Sequence, residues 1–412
     1  MKHHRILIIG GGAAGLSAAI RAAQTDPGAQ ITILEKLDRI GKKLLATGNG
    51  RCNLSNECIL PEHYHTQEPT RLKQLLAQMD TARTLDFFAS IGLYCTTEDT
   101  GRIYPYCKQA VMVLDILRLA LQRHGISVIC GCPVTSLVRT KHTFTATGAD
   151  GRQFTADRVI LTGGGKAAPK QGTDGSGYAL AQSLGHHCTR CYPCLVPLRC
   201  SGSVFQGLKG IRVTCRTSLL VRRKKAAEEI GELQFTDYGV SGIPALQLSC
   251  YLDASTDGAD CTVRIDLFPD WSYDDLRTVL TQRIRQYPQE PLERAFLGLI
   301  NKRILYAVLK TCAVGPLSRP VSSLEKQELD RLLSALKGWT FPVTGTLSWE
   351  HAQVTGGGIP LSEVQDSLES RLCPGLYLAG EILDVAGDCG GYNLHWAWCS
   401  GMTAGAAAAA DR

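Results

Sequence analysis

The residues nearest the start of the chain that could do chemistry are three glycines and an acid. Gly10, Gly12 and Gly15 form the pattern G-x-G-x-x-G in "LIIGGGAAGLSAAI", and Glu35 follows 20 residues after Gly15. Such glycines allow a tight turn and let a pyrophosphate approach the backbone at the positive end of a helix. An acid at this distance can bind an adenosine ribose. The four residues predict a dinucleotide site, and the alternative is a helix start that is merely tightly packed.

Two segments far from this turn bear on the choice of dinucleotide. Residues 41–56, "GKKLLATGNGRCNLSN", supply cations and amides just after the acid, and residues 378–405 contain Gly390 and Gly391 before a predicted helix. The first segment can wrap an extended cofactor, with its cations near the phosphates. Amides at the start of the second helix would suit negative charge on the pyrimidine side of a reduced flavin. Together the segments favour FAD over NAD, whereas each alone also fits a solvated loop or a glycine turn.

The elements that must position these residues follow from the apolar patterning. Residues 5–9 and 31–36 are predicted strands on either side of a helix at residues 15–23, which makes a βαβ unit. Apolar strands run into glycine again within residues 157–169 and 375–384. Strands that stop in glycine near both ends of the chain predict one α/β nucleotide-binding domain assembled from both ends.

The middle of the chain has a different pattern. Alternating stretches such as "TCRTSLLVRR" and "CTVRIDLF" indicate antiparallel strands, and amphipathic segments indicate a helical subdomain at about residues 271–337. We therefore predict an FAD-binding domain formed by residues 1–192 and 346–412. An inserted, strand-rich domain of residues 193–345 interrupts it.

Three local signals in the inserted domain can be compared with a structure. Ser272 with Asp275, and Ser322 with Glu325, have the spacing of capping boxes at helix starts. The basic run Arg222–Lys225 lies between two predicted strands, which favours a solvated hairpin tip over a patch for RNA. No aromatic residues interleave this run, as binding of a single strand would require.

Composition limits the class of protein. The 412 residues carry a formal net charge of +6, with 20% charged and 44% hydrophobic residues, which fits a globular chain of more than one domain. The small positive excess suits an anionic cofactor and does not require nucleic acid. Three consecutive glycines and Arg21 interrupt the leader-like start, and no other apolar run reaches membrane length. We expect no membrane association.

The 17 cysteines are odd in number and lack a repeated spacing, which favours reduced thiols in a cytoplasmic protein. Cys188, Cys191 and Cys194 lie close together, and "CYPC" has the C-x-x-C spacing of a redox pair or of half a zinc site. His186 and His187 are nearby. Unpaired thiols are the favoured interpretation, and no metal is predicted.

Six stretches resemble those of a known family and occur in the expected order. They are "GGGAAGLSAA", "KLLATGNGRCNLSN", "LTGGGKAAPKQGTDGSGYALAQSLGH", "GELQFTDYGVSGIPALQLS", "VTGGGIPLSEV" and "GLYLAGEILDVAGDCGGYNLHWAWCSG". On these, from residue 8 to about 405, the chain resembles the BaiN/YhiN-like flavoproteins, a family also called the aminoacetone oxidase family of FAD-binding enzymes. Cys194, where serine is commoner, and "GGGKAAPKQG" are small departures from the family pattern.

The resemblance implies a Rossmann-like FAD-binding domain of the two-dinucleotide-binding type with an inserted domain of strands and helices. It implies that the first glycine turn, Glu35 and the GRCN and GGYN segments hold the flavin, and that the backbone near Val134 contacts the adenine. With the residue patterns above, the expected FAD-contacting residues are Gly10, Gly12, Ala13, Ala14, Gly15, Glu35, Lys36, Lys42, Lys43, Asn49, Arg51, Cys52, Asn53, Val134, Gly163, Gly164, Gly380, Glu381, Asp384, Gly390, Gly391, Tyr392, Asn393 and Leu394.

For function, the resemblance implies a FAD-dependent oxidoreductase and leaves the substrate open. We expect hydride transfer between the flavin and a small or medium apolar molecule, in the favoured case reduction of a carbon-carbon double bond in an enone or bile-acid intermediate. NAD(P)H would bind only transiently, because the chain has no second complete glycine fingerprint. The alternatives are an amine or amino-ketone oxidase and an RNA-associated flavoprotein. Nucleic acid is not an expected partner, and the oligomeric state stays open.

Four residues near the expected flavin are candidates for catalysis. Tyr392 and His395 are polar rings where a proton donor would lie, and Cys52 and Cys389 could be redox partners. The alternatives are a structural hydrogen bond for the rings and ordinary packing for the cysteines.

Overall fold

The structure is a computed structural model that describes residues 4–253, 256 and 260–410. Its strands are β1 Arg5–Ile9, β2 Gln30–Leu34, β3 Ser55–Asn56, β4 Tyr64–His65, β5 Cys95–Thr97, β6 Arg102–Pro105, β7 Ser127–Ile129, β8 Val134–Thr140, β9 Thr143–Gly148, β10 Gln153–Ala156, β11 Arg158–Leu161, β12 Tyr192–Cys194, β13 Leu198–Cys200, β14 Arg212–Val221, β15 Lys224–Phe235, β16 Gly239–Ser241, β17 Cys261–Asp266, β18 Trp339–Thr346, β19 Val354–Gly356, β20 Leu376–Leu378 and β21 Ala386–Gly387. Its α-helices are α1 Ala13–Thr25, α2 Lys42–Ala46, α3 Pro69–Leu76, α4 Thr81–Ile91, α5 Ala110–Arg123, α6 Ser176–Ser183, α7 Phe205–Leu208, α8 Ile243–Ser249, α9 Tyr273–Gln286, α10 Leu292–Ala295, α11 Lys302–Thr311, α12 Lys326–Gly338 and α13 Tyr392–Ala409.

The chain divides into two compact units. Residues 1–194 and 349–412 form one, which we call the nucleotide unit, and residues 195–348 form the other, the inserted unit. The boundaries predicted from the sequence, at residues 193 and 345, lie within three residues of these divisions.

The nucleotide unit is built on a parallel sheet whose strand order is β20-β11-β1-β2-β7 within the described residues. β1 occupies the centre, with Ile8 opposite Ile160 of β11 and Ile33 of β2. The central strands β1, β11 and β20 are mostly buried, because α1 and α13 and the antiparallel sheet β8–β10 pack against them. Since parallel strands all end at one edge, the residues after β1, β2, β11 and β20 meet there, where such sheets bind ligands. The predicted Rossmann-like fold class is confirmed.

Helix α13 packs against α1 with its backbone unusually close. A Cβ on Gly401 would lie 2.3 Å from the Ala14 carbonyl oxygen, and one on Gly405 would lie 2.2 Å from that of Ala18. Two glycines four residues apart fall on one face of the helix and allow this approach. The C-terminal segment is therefore fixed against the first glycine turn. Among the described residues, no helix is both long and apolar enough to cross a membrane.

The inserted unit contains a closed barrel with the strand order β13-β16-β15-β14-β17-β18. Phe205, Phe235, Trp339 and Phe341 are buried in its apolar core, together with leucines from α9, α11 and α12. The strand-rich inserted fold with helices matches the prediction. β14 and β15 are joined through Arg222 and Arg223, both with positive φ, so the predicted hairpin tip is confirmed.

One of the two predicted capping boxes is confirmed and the other is wrong. Ser272 Oγ accepts from the Asp275 amide at 3.1 Å, and Asp275 Oδ2 accepts from the Ser272 amide at 3.0 Å. At α12, Glu325 is itself the capping residue and Glu328 completes the box. Ser322 lies instead in a short 3₁₀ turn that precedes the helix.

Candidate functional site

The first glycine turn joins β1 to α1. Gly10 has a φ of +113°, and a Cβ there would lie 2.5 Å from the carbonyl oxygen that follows β11. A Cβ on Gly15 would lie 1.9 Å from the Gly10 carbonyl oxygen, whereas at Gly12 no atom lies within 4 Å of the Cβ position. No side chain caps α1, whose first turn contains Ala13 and Ala14. Close packing thus requires glycine at positions 10 and 15. At Gly12 the space is open, and the amides at the start of α1 remain accessible to an anion.

Glu35 is held in place by main-chain donors at the end of β2. Its Oε2 accepts from the Gly11 amide at 2.7 Å, and its Oε1 accepts from the Leu37 amide at 2.8 Å. The Cys132 amide donates to the Glu35 carbonyl oxygen at 2.9 Å, which brings the segment leading to Val134 beside the acid. A buried carboxylate fixed by two amides keeps lone pairs for ribose hydroxyls. These residues suit the adenosine end of FAD.

The GRCN and GGYN segments meet at the start of α13, as the prediction of a shared flavin site requires. A Cβ on Gly391, whose φ is +101°, would lie 2.3 Å from the Ser55 carbonyl oxygen and 2.8 Å from Asn53 Oδ1. Asn56 Nδ2 donates to the Gly390 carbonyl oxygen at 3.0 Å. Asn53 Oδ1 is buried and has no hydrogen-bond partner.

That unpartnered acceptor is the observation that tests whether a flavin fits. A buried polar atom left without a partner costs free energy, so native structures supply one. The pyrimidine ring of a flavin offers an N–H donor. Asn53 lies against Gly391, the first residue before α13, and no side chain caps that helix. The residues present fit the pyrimidine end of FAD.

An ion pair links the basic segment to the end of β20. Lys43 Nζ lies 2.8 Å from Glu381 Oε2 and donates to the Ala167 carbonyl oxygen at 3.3 Å. The second carboxylate oxygen of Glu381 accepts from the Thr355 amide at 2.9 Å. Gly380, with a φ of +80°, comes so close to α1 that its Cβ would lie 2.8 Å from the Ala14 Cβ. The two ends of the chain are thereby joined at the carboxyl edge of the sheet.

The structure also places the remaining predicted FAD contacts. Gly163 and Gly164 follow β11, Lys42 begins α2, and Asn393 and Leu394 lie in the first turn of α13. Asn393 holds the preceding loop through both amide atoms, because Oδ1 accepts from the Gly387 amide and Nδ2 donates to its carbonyl oxygen, each at 2.7 Å.

Two charged residues of the predicted set contact other side chains, and a third, polar residue is exposed. Lys36 pairs with Asp174 at 2.7 Å, and Asn49 is exposed on a left-handed turn. Arg51 lies 4.5 Å above the Tyr104 ring, and its Nη1 is 3.4 Å from Glu98. These contacts anchor the segment, and a contact of Arg51 with FAD stays a prediction.

Two of the predicted catalytic residues are buried and already bonded within the protein. His395 Nδ1 lies 2.9 Å from Ser55 Oγ and Nε2 lies 2.8 Å from the Met79 carbonyl oxygen, and burial lowers the pKa of the ring to about 4. Cys52 is fully buried, which raises the pKa of its thiol to about 12. We infer structural roles for both. Cys389 is partly exposed beside the glycine pair.

A cluster that the sequence reasoning missed surrounds Tyr392. The His63 ring stacks on the Tyr392 ring with centroids 4.4 Å apart, and His63 Nδ1 lies 3.2 Å from Asp388 Oδ2. His65 Nε2 lies 3.0 Å from the other oxygen of Asp388. Burial is the main reason that the Tyr392 pKa rises to about 12, so its phenol stays protonated at neutral pH. Strand periodicity could not have found this pair, because His63 ends a short 3₁₀ turn and only His65 lies in β4.

The buried acid Asp384 lies close to this site on the loop between β20 and β21. Its Oδ2 accepts from the Gln67 amide at 3.1 Å, and desolvation raises its pKa. Within the described residues, no group of three or more His, Cys, Asp or Glu side chains could hold a metal ion.

Comparisons with known proteins agree with this geometry. The model of the HI0933-like protein Rossmann domain matches residues 4–407. The chain is 41% identical over 408 residues to the 3-dehydro-bile acid delta(4,6)-reductase of Clostridium scindens, covering 98% of this chain and 99% of that protein. It is 27% identical to the ribosomal RNA dihydrouridine synthase of Escherichia coli, covering 97% and 96%.

A solved structure of the Escherichia coli quinol fumarate reductase subunit FrdA superposes with a TM-score of 0.51 at 18% identity, covering 99% of this chain and 70% of that one, which bears on the fold alone. The family match extends over nearly the whole chain, and the relative at 41% identity spans both chains almost completely. The chain belongs to the HI0933-like Rossmann-domain family and is a FAD-dependent oxidoreductase.

Proposed function

We propose that this protein reduces a carbon-carbon double bond conjugated to a carbonyl group in a small apolar substrate of the steroid or bile-acid class, with NAD(P)H as the electron donor. The observation that carries the proposal is the cluster at the start of α13. There the unpartnered Asn53 acceptor lies against Gly391, and the next residue, Tyr392, stacks on His63.

Reduction of such a bond needs a hydride at one carbon and a proton at the neighbouring carbon. Bound FAD supplies the hydride chemistry. His63 can supply the proton in its imidazolium form, in which the Nδ1–H faces Asp388 and the Nε2–H can pass to the substrate and be replaced from solvent. The Tyr392 ring holds the imidazole plane through stacking, and its protonated phenol can donate a hydrogen bond.

The relatives support this reaction class from two directions. The names 3-dehydro-bile acid delta(4,6)-reductase and dihydrouridine synthase both describe saturation of a ring double bond in conjugation with a carbonyl group. We favour the small substrate, because the bile-acid reductase is the more similar of the two at 41% against 27% identity. Ribosomal RNA is the second candidate substrate on the strength of the other relatives.

Cysteine usage supports a reducing compartment, and we propose the cytoplasm. All 17 cysteines lie in the described residues and none forms a disulfide. Such a compartment also holds the reduced nicotinamide cofactors that the proposed reaction consumes.

The experiment that tests the proposal follows the flavin spectrum without oxygen. The purified protein is loaded with FAD and mixed with NADH or NADPH in a stopped-flow instrument, then with a 3-keto-4,6-diene bile acid. We expect bleaching by one nicotinamide, and return of the oxidised spectrum when the bile acid is added, with one double bond of the diene reduced for each flavin reoxidised.

Three other outcomes would redirect the proposal. Recovery of the oxidised spectrum only with an rRNA transcript, together with dihydrouridine in that transcript, would favour the second candidate. Rapid peroxide formation with an amine or amino ketone would overturn the reductase assignment. A protein that stays colourless after incubation with FAD would contradict the cofactor itself.

A further inference from the structure

A pair of cysteine thiols lies on the loop between α6 and β12. The pair is near Asp384, which belongs to the expected FAD set. Cys188 Sγ and Cys191 Sγ are 3.8 Å apart, and both side chains are partly exposed. The spacing that brings thiols together is therefore "CTRC", and not the "CYPC" that the sequence suggested. Cys194, the last cysteine of "CYPC", is fully buried against Gly356.

The backbone of this loop is already fixed in the reduced protein. The Thr189 amide donates to the Gly358 carbonyl oxygen at 2.9 Å, and the Gly358 amide donates to Thr189 Oγ1 at 2.9 Å. A Cβ on Gly357 would lie 2.5 Å from the Arg190 carbonyl oxygen. The loop therefore packs directly on the backbone of the glycine segment that follows β19. Because the two sulfur atoms are in van der Waals contact, a bond of about 2.05 Å between them requires them to close by less than 2 Å.

The surroundings distinguish the two thiols. The contact between the two sulfur atoms is the main reason that the Cys191 pKa falls to about 7 and the Cys188 pKa rises, which corresponds to Cys188 as the donor and Cys191 as the acceptor. The Tyr178 hydroxyl and the Lys166 ammonium add to the lowering at Cys191, and Asp384 opposes it. Cys191 is the group ready to act as a thiolate nucleophile, and Cys188 holds the proton beside it.

A zinc site is the competing use of these cysteines, and the neighbouring histidines are turned away from it. His186 Nδ1 lies 2.6 Å from Glu363 Oε2, and His187 Nδ1 lies 2.7 Å from Glu363 Oε1. Structural zinc needs four ligands. In the part of the chain that the structure describes, no third ligand joins the two thiols, and such a pair suits redox chemistry instead.

We propose that Cys188 and Cys191 form a dithiol site that reacts with low-molecular-weight disulfides such as oxidised glutathione. The Cys191 thiolate attacks one sulfur of the disulfide, which forms a mixed disulfide and releases one thiolate that takes up a proton. Cys188 then loses its proton and attacks Cys191 Sγ, which closes the intramolecular bond and releases the second small thiol. The protein dithiol loses two electrons and two protons, and the small disulfide gains them.

The test uses FAD-loaded protein whose cysteines are reduced, and oxidised glutathione as the reactant. To remove the two exposed cysteines, the measurements are made in a Cys58→Ser, Cys107→Ser background. We expect two equivalents of glutathione to be released and peptide mass mapping to find a bond between residues 188 and 191. The initial rate should rise about tenfold from pH 6 to pH 8 and by less than twofold above that, as the thiolate of Cys191 becomes fully formed.

Single substitutions separate the two roles. Cys188→Ser should release one equivalent and keep glutathione attached at Cys191, and Cys191→Ser should remove the reaction at this loop. A Cys194→Ala variant is the control inside the same segment and should behave as the parent does. Mixed disulfides without a 188–191 bond in the parent, or an unchanged product pattern in Cys188→Ser, would overturn the proposal.

Discussion

Two glycine turns open helices in the nucleotide unit, and they are completed by different means. The turn before α1 is finished by Glu35 within the same βαβ segment, and its open position at Gly12 leaves room for an anion. The turn before α13 is closed by a segment from the other end of the chain, since Asn56 reaches Gly390 across 334 positions. The first site is local, and the second exists only because the fold brings distant segments together.

The largest predicted effect is a loss of stability when a side chain is added in the glycine turn before α1. Gly15→Ala places a Cβ 1.9 Å from a backbone oxygen, so we expect the free energy of unfolding to fall by about 3 kcal/mol or more. Gly12→Ala meets no atom within 4 Å and should change that free energy by less than about 1 kcal/mol while weakening FAD binding. Urea unfolding and FAD titration of both variants measure this, and equal losses of stability would contradict it.

The second prediction concerns the proposed proton donor beside the α13 turn. His63→Gln keeps a polar side chain and removes the imidazole, so we expect kcat to fall by about 100-fold or more. His65→Gln alters the other contact of Asp388 and should cost less than about tenfold, because its Nε2 is the nitrogen that faces the acid. Steady-state kinetics with matched FAD loading decide between them. Equal losses would mean that Asp388, and not His63, is the important group.

The third prediction uses pH to test the buried side of α13. The folded-state pKa of His395 is lowered to about 4, below the ordinary value near 6.5 in an unfolded chain. Between those values the unfolded state binds more protons, so stability falls as the pH falls, by about 2 kcal/mol at pH 5 relative to pH 7.5. In His395→Gln this part of the pH dependence should vanish. An identical loss in the variant, measured by urea unfolding at both pH values, would show that other groups cause it.

The smallest predicted effect concerns the two asparagines, Asn53 and Asn56, that contact the glycine turn before α13. Asn53→Ala removes an acceptor that has no partner in the protein, so the stability of the apoprotein should hardly change while FAD binding weakens by about tenfold. Asn56→Ala breaks an internal bond to Gly390 and should lower apoprotein stability by about 1 kcal/mol. Isothermal titration with FAD and unfolding of the apoproteins test the pair. The reverse pattern would mean that Asn53 does not face the cofactor.

The features that could be predicted from the sequence are those whose partners lie nearby along the chain. The capping box of Ser272 and Asp275 and the hairpin at Arg222 need only adjacent residues, and both are confirmed. At α12 the same reasoning failed by three residues, because a short turn took Ser322 out of the helix. Local spacing thus gave the type of element more reliably than its boundary.

The candidate site could be predicted only in part, for the same reason. The segments around Asn53 and Gly391 were expected to share the flavin, but no spacing showed that Asn53 would be left without a partner. His395 lies in the predicted helix, yet the contacts with Ser55 and Met79 turn it into the core. His63 contributes through stacking on a residue more than 300 positions later in the chain, which sequence patterns do not record.

By itself the sequence determined the dinucleotide turn and the parallel sheet, because glycine spacing and apolar periodicity act over one turn or one strand. FAD as the cofactor was predicted from two distant segments and from the family resemblance. Only the tertiary structure decided which histidine and tyrosine rings lie at the candidate site, which are buried in the core, and which thiols lie in contact. Those choices depend on burial and on contacts such as Tyr392 with His63 and Cys188 with Cys191, and such contacts form only when separate elements pack.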